Sequence, residues 1–115
     1  MDVSFILSSD EIYTLVSQMR TQSETGKDFI EKALANAVEN DLSGLIKKNL
    51  ARIEGDELIL APVIHMMIDS ISNAKHAELN DGCWEIESDW ITFKCEDYPY
   101  MEAHWKLTPI KGAEL

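Results

Sequence analysis

A chain of 115 residues with 45% apolar side chains has the size and composition of one globular domain, spanning 1–115, built around one core. Its net charge of −11 sets up an average field that repels polyanions, so DNA is disfavoured as a partner, and the surplus serves solubility or docks a basic partner. Charges interrupt the apolar stretches before the roughly 18 residues of a membrane span, and no basic-then-apolar leader opens the chain, so a cytoplasmic protein with no membrane span is expected.

In chain order, Val3-Ser4-Phe5-Ile6-Leu7 is a short β-type run. Ser8 and Glu11 have the spacing of a capping box, which predicts a helix to about Met19 or Thr21. Ile12, Leu15, Val16 and Met19 fall on one face of it. Thr21 to Gly26 reads as a linker. A second helix is expected from Lys27 to Val38, with Phe29, Ile30, Ala33, Leu34, Ala37 and Val38 as its buried stripe and Glu39 in water. Asn40-Asp41 breaks it, and Asp41 is placed to cap a third, short helix from Leu42 to about Asn49, with Leu42, Leu45, Ile46 and Leu50 as its apolar residues.

The segments 51–54 and 57–60 flank Gly55-Asp56 and predict a β-hairpin with a two-residue turn. Pro62 suits the first turn of a fourth helix running to about Ala74, with Val63, Ile64, Met67, Ile68 and Ile71 inward. Helix, helix, short helix and hairpin make the order of a winged helix, with the hairpin as the wing.

The last third alternates as β-structure. A hairpin turning at Ser88-Asp89 would set Ile86 opposite Ile91 and Trp84 opposite Phe93. Cys83 then points with the glutamates and Cys95 into the core, so the two are expected to be free thiols. After 96–99, Met101, Ala103, Trp105 and Leu107 face one way and Glu102, His104 and Lys106 the other, and Pro109 and Gly112 end the strand. The expected fold is α+β: a winged-helix-like helical part followed by an antiparallel β meander.

Chemistry-bearing motifs are few. His65 and Asp69 have the spacing of a surface pair on a helix. His76, Cys83 and His104 are the only set worth weighing as metal ligands, and their spacing matches no zinc pattern. The five glycines are scattered and make no phosphate loop. Glu85 and Glu87 share a strand face, which reads as a solvated surface. The expectation is no enzyme, no cofactor and no metal.

Were the third helix to enter a DNA groove, Ser43, Lys47 and Lys48 would reach it and Arg52 would add a phosphate contact. The wing tip, Glu54-Gly55-Asp56-Glu57, sets three carboxylates where wings meet phosphate, which argues against that use. Trp90 falls on the polar face beside a turn, where it either covers the turn or is exposed for a partner. Tyr98 and Tyr100 are expected near the same rim. With His104 these three are the candidate partner-binding residues, since exposed aromatics concentrate at interfaces.

The run Leu7-Ser8-Ser9-Asp10-Glu11-Ile12-Tyr13-Thr14-Leu15 resembles the "LSxDELxxL" opening of the EspG-like chaperones of type VII secretion. The segment from Leu45-Ile46 through Glu54-Gly55-Asp56-Glu57-Leu58 to Leu60 and Pro62 is similar to that family's "GL(I/V)…DG…L.P" stretch, which leads into an apolar helix and then strands. The resemblance covers roughly residues 5 to 95 and implies a non-enzymatic chaperone that binds another protein. Members are about twice as long and contain two similar halves, so this chain resembles one half. A homodimer through an unpaired edge strand of the C-terminal sheet would restore the second half. Two other functions fit the residues: an acidic immunity protein or inhibitor that masks a basic toxin, and a divergent winged-helix regulator.

Overall fold

A computed structural model describes residues 4–18, 23–38 and 42–111. Expectations that concern 3, 19–22, 39–41 and 112 fall outside those residues.

Strand β1 (Phe5–Ser8) runs directly into helix α1 (Ser9–Gln18). The junction is a reciprocal cap: the Ser8 N–H donates to Glu11 Oε1 at 2.7 Å and the Glu11 N–H to Ser8 Oγ at 3.0 Å. Ile12, Leu15 and Val16 are buried, as their spacing predicts.

Helix α2 (Glu24–Ala33) begins before the expected Lys27, because Ser23 caps it by accepting the Gly26 N–H at 2.9 Å. Gly26 therefore lies inside the helix and not in a linker. Its role is close approach: a Cβ there would sit 2.1 Å from the Ile71 carbonyl oxygen. The helix also stops before the expected Val38, since Leu34 leaves helical geometry to fill the core. Val38 is 63% exposed and not part of the buried stripe; its N–H donates to Asp10 Oδ1.

Helix α3 (Leu42–Lys47) buries Leu45, while Ile46 stays 40% exposed. The hairpin of β2 (Ala51–Glu54) and β3 (Glu57–Leu60) has the expected register, Glu54 facing Glu57 across Gly55 at φ +60°. Helix α4 (Pro62–Ser72) starts on its proline and buries Val63, Ile64, Met67, Ile68 and Ile71.

Four strands follow: β4 (His76–Asn80), β5 (Cys83–Glu87), β6 (Thr92–Asp97) and β7 (His104–Lys111). They form an antiparallel meander that β1 extends, giving a five-stranded sheet in the order β1-β7-β6-β5-β4. The fold is thus α+β, and β2-β3 forms a separate two-stranded sheet.

The β5–β6 register differs from expectation. Ile86 faces Phe93 and Trp84 faces Cys95. The cause is Ser88, a buried residue whose Oγ accepts the N–H groups of Trp90 and Ile91 and shares a 2.7 Å bond with Ser70 Oγ. The turn is thereby widened to 88–91, and the ladder slips by two residues. A two-residue slip preserves which face each side chain takes. Cys95 is still buried beside Trp84, Cys83 still lies with the glutamates, and both are free thiols.

Pro109 does not end β7. It faces Phe93 at a bulge, beyond the last described β1–β7 pair, Phe5 with Leu107, so its missing N–H costs the ladder little. Met101 and Ala103 precede the strand, in the β6–β7 turn, and are exposed instead of facing the core.

One sheet face carries Trp84, Ile86, Phe93, Cys95 and Leu107 into a single cluster with α1, α2 and α4. Trp84 meets Phe29 of α2 edge-on at 5.2 Å. The other face is open to solvent.

Candidate functional site

Trp90, Tyr98 and Tyr100, expected at one rim, are divided between two ends of the sheet. Trp90 sits in the β5–β6 turn, 67% exposed. That turn is pinned by a Lys75–Asp89 ion pair, in which the Asp89 carboxylate raises the Lys75 ammonium above its ordinary range. Tyr98 and Tyr100 lie in the β6–β7 turn and His104 at the start of β7, about 25 Å away at strand rise. Meander geometry forces this, because successive turns lie at opposite ends of the strand they share.

At the β6–β7 end the parts converge. Tyr98 and Tyr100 stack edge-on with centroids 5.3 Å apart, Tyr98 half-buried and Tyr100 82% exposed. The Tyr98 N–H donates to the His104 carbonyl at 2.9 Å, and His104 Nδ1 lies 2.8 Å from the Glu102 carbonyl oxygen. Ala103, at φ +56°, turns its carbonyl onto the Ser9 N–H and so ties this corner to the start of α1.

Beside the tyrosines lies a cleft of about 370 Å³ lined by Phe5, Ile6, Lys48, Leu50, Tyr98 and Met101. Its polar feature is an ion pair. Glu11, only 1% exposed, receives Lys48 Nζ at 2.5 Å, and the same ammonium donates to the Ile6 carbonyl at 3.2 Å. A second cleft, of about 460 Å³, runs between Asn49–Arg52 and Ile59–Pro62 along the β2–β3 hairpin. The two share Leu50, and Met101, which lines the first, is 48% exposed. This gives a mostly apolar groove able to hold side chains of another molecule, edged by two tyrosines.

Sequence reasoning finds Tyr98, Tyr100 and His104, assigns Lys48 to a DNA-facing helix, and misses Phe5, Leu50 and Met101. Phe5, Leu50 and Met101 read as strand or buried-stripe residues, and no local signal marks them as groove-lining.

The solvent face of the sheet is the second surface. Register sets Glu78 opposite Glu85, Glu85 opposite Lys94, and Cys83 opposite Glu96. Like charges face each other at Glu78–Glu85, which costs stability when nothing covers them. Burial, then Glu96, pushes the Cys83 thiol up, and deep burial pushes Cys95 up further, so neither is an activated nucleophile.

The three weighed metal ligands do not converge. His76 and Cys83 sit at opposite ends of the β4–β5 hairpin and His104 starts β7. Among the described residues, no group of three or more His, Cys, Asp or Glu is placed to hold an ion. His65 and Asp69 form no ion pair, and Asp69 Oδ1 instead accepts from Asn73 at 3.2 Å. Of the cations assigned to a DNA groove, Lys48 is held by Glu11 and Arg52 by Glu54 at 3.1 Å. No helix among the described residues is long and apolar enough to cross a membrane. No protein-family model matches the chain, and no curated protein or solved structure does either.

Proposed function

We propose that this chain is a non-enzymatic protein-binding module whose binding site is the groove edged by Tyr98 and Tyr100. The observation that carries the reading is the apolar surface left uncovered there: Tyr100 at 82% and Met101 at 48% exposure, beside a cleft lined by Phe5, Ile6 and Leu50. Large rigid rings around an apolar cleft are the composition of interface hot spots. The resemblance to EspG-like chaperones supports the same reading and suggests the partner: a small helical protein handled by type VII secretion in the cytoplasm.

A second reading rests on the acidic sheet face. Glu78 and Glu85, set opposite each other, lose their repulsion when a basic surface covers them, as in an inhibitor that masks a toxin. A third, a divergent winged-helix regulator, draws on the order α1, α2, α3, hairpin. It is weakened by the pairing of Lys48 and Arg52 with carboxylates and by Glu54, Asp56 and Glu57 at the hairpin tip.

Co-expression separates them. A small helical protein encoded beside this gene should co-purify with the wild type, and Tyr100→Ala with Met101→Ser should weaken that complex at least about tenfold. Loss on Glu78→Lys with Glu85→Lys, and not on the tyrosine-rim changes, transfers the function to the inhibitor reading. Salt-sensitive duplex binding by the wild type would favour the third. Absence of any complex with the adjacent gene products defeats the module as stated.

A further inference from the structure

The five-stranded sheet has two edges, and they are treated differently. At β1 the Ile6 carbonyl is taken by Lys48 Nζ and the Ser8 N–H by Glu11 Oε1. The ion pair occupies the place of a next strand and closes that edge.

At β4 the edge is open among the described residues. Asp81 and Gly82, at φ +52° and +77°, make a two-residue primed turn between β4 and β5. In such a hairpin the closing pair, here Asn80 with Cys83, is a hydrogen-bonded one. Alternation then points the backbone groups of Ala77 and Leu79 away from β5. Leu79 is 53% exposed, and β4 contains no proline or lysine to discourage pairing.

We infer that β4 pairs antiparallel with β4 of a second copy about a two-fold axis at Ala77, joining two five-stranded sheets into one of ten strands. The charge pattern of β4 selects a second copy. His76 and Glu78 flank Ala77 on the open face, their side chains 3.6 Å apart within one chain, so this register also sets His76 opposite the partner's Glu78 and repeats the match on the other side of the axis. Centring the axis on Glu78 would oppose two carboxylates that already face Glu85. Ala77 at the axis is small, and its outward N–H and C=O bond to those of the partner's Ala77. The inference does not depend on what the tyrosine groove binds.

Light scattering of the full chain from about 5 to about 500 µM should show a dimer that dissociates on dilution. Ala77→Pro removes an N–H that the sheet itself does not use, so it should give a monomer with native circular dichroism. Should that variant fail to fold, cross-linking decides. In a Cys83→Ser background, Ala77→Cys should oxidise to a covalent dimer, because hydrogen-bonded cross-strand Cα atoms lie about 5.5 Å apart. Leu79→Cys should do so at least about tenfold more slowly, its two copies lying about 13 Å apart along the strands. A wild type that stays monomeric throughout overturns the inference. So does a dimer that Ala77→Pro leaves intact, or faster cross-linking at Leu79→Cys.

Discussion

The two edges of the sheet end in opposite ways. β1 is finished by a buried carboxylate and an ammonium that reach its carbonyl and N–H, whereas β4 ends in a hairpin whose outer backbone has no hydrogen-bond partner among the described residues. An edge strand needs a partner for its backbone, and that partner can be another chain or a pair of charged side chains. Here the side-chain solution lies beside the helical part, from which Glu11 and Lys48 come. The open edge lies at the far end of the meander, where His76 to Asn80 are mostly exposed.

Breaking the closed edge should have one of the two largest effects. Glu11→Ala leaves Lys48 without its carboxylate and the Ser8 N–H without its acceptor, and so removes one of the two bonds that cap α1. A loss of about 2 kcal/mol is expected in urea melts, since a buried site is emptied, half of the cap is lost and the part-buried Ser8 N–H has no acceptor. Lys48→Met with Glu11→Leu should recover part of this, because an apolar pair leaves no lone charge. A double-mutant cycle measures the coupling. If Glu11→Ala costs under about 0.5 kcal/mol, the ion pair does not close the edge.

Next comes the support behind the open edge. Gly26→Ala drives a methyl group into the Ile71 carbonyl and pushes α2 off α4 and β4. A loss of about 2 kcal/mol is expected, with hydrogen exchange rising first in β4. Leu79→Lys, on the open edge itself, should change stability by less than about 0.5 kcal/mol while abolishing self-association. The smallest effect concerns chemistry and not stability. In the native protein iodoacetamide should label Cys83 and spare Cys95, and Cys83 should react more slowly at neutral pH than an ordinary thiol. Its pKa is raised, so the reactive thiolate appears only at higher pH. Equal labelling of both cysteines in the folded protein would contradict the burial of Cys95.

Much of the fold was legible because its signals are local. The Ser8–Glu11 cap, the Gly55-Asp56 hairpin and the Pro62 helix start each depend on contacts within a few residues. Strand β4 was not legible: His76-Ala77-Glu78-Leu79-Asn80 alternates, but Ala, Glu and Asn are poor strand formers and only Leu79 is a large apolar residue, because an edge strand buries little. The candidate site was half legible. Tyr98 and Tyr100 announce themselves by type, but Trp90 is separated from them by the whole length of β6, which residue type does not reveal.

The residues alone set the capping box, the helix stripes and the face each cysteine takes, since all three follow from fixed backbone periods of 3.6 and 2. They did not say that Glu11, already read as a cap, would be buried and meet Lys48 across 37 positions. Nor did they say that Ser88 would widen a turn through Ser70, 18 positions away. Those choices belong to tertiary structure, because a buried charge or hydroxyl must find whichever partner packing brings near, and sequence distance does not constrain which one that is.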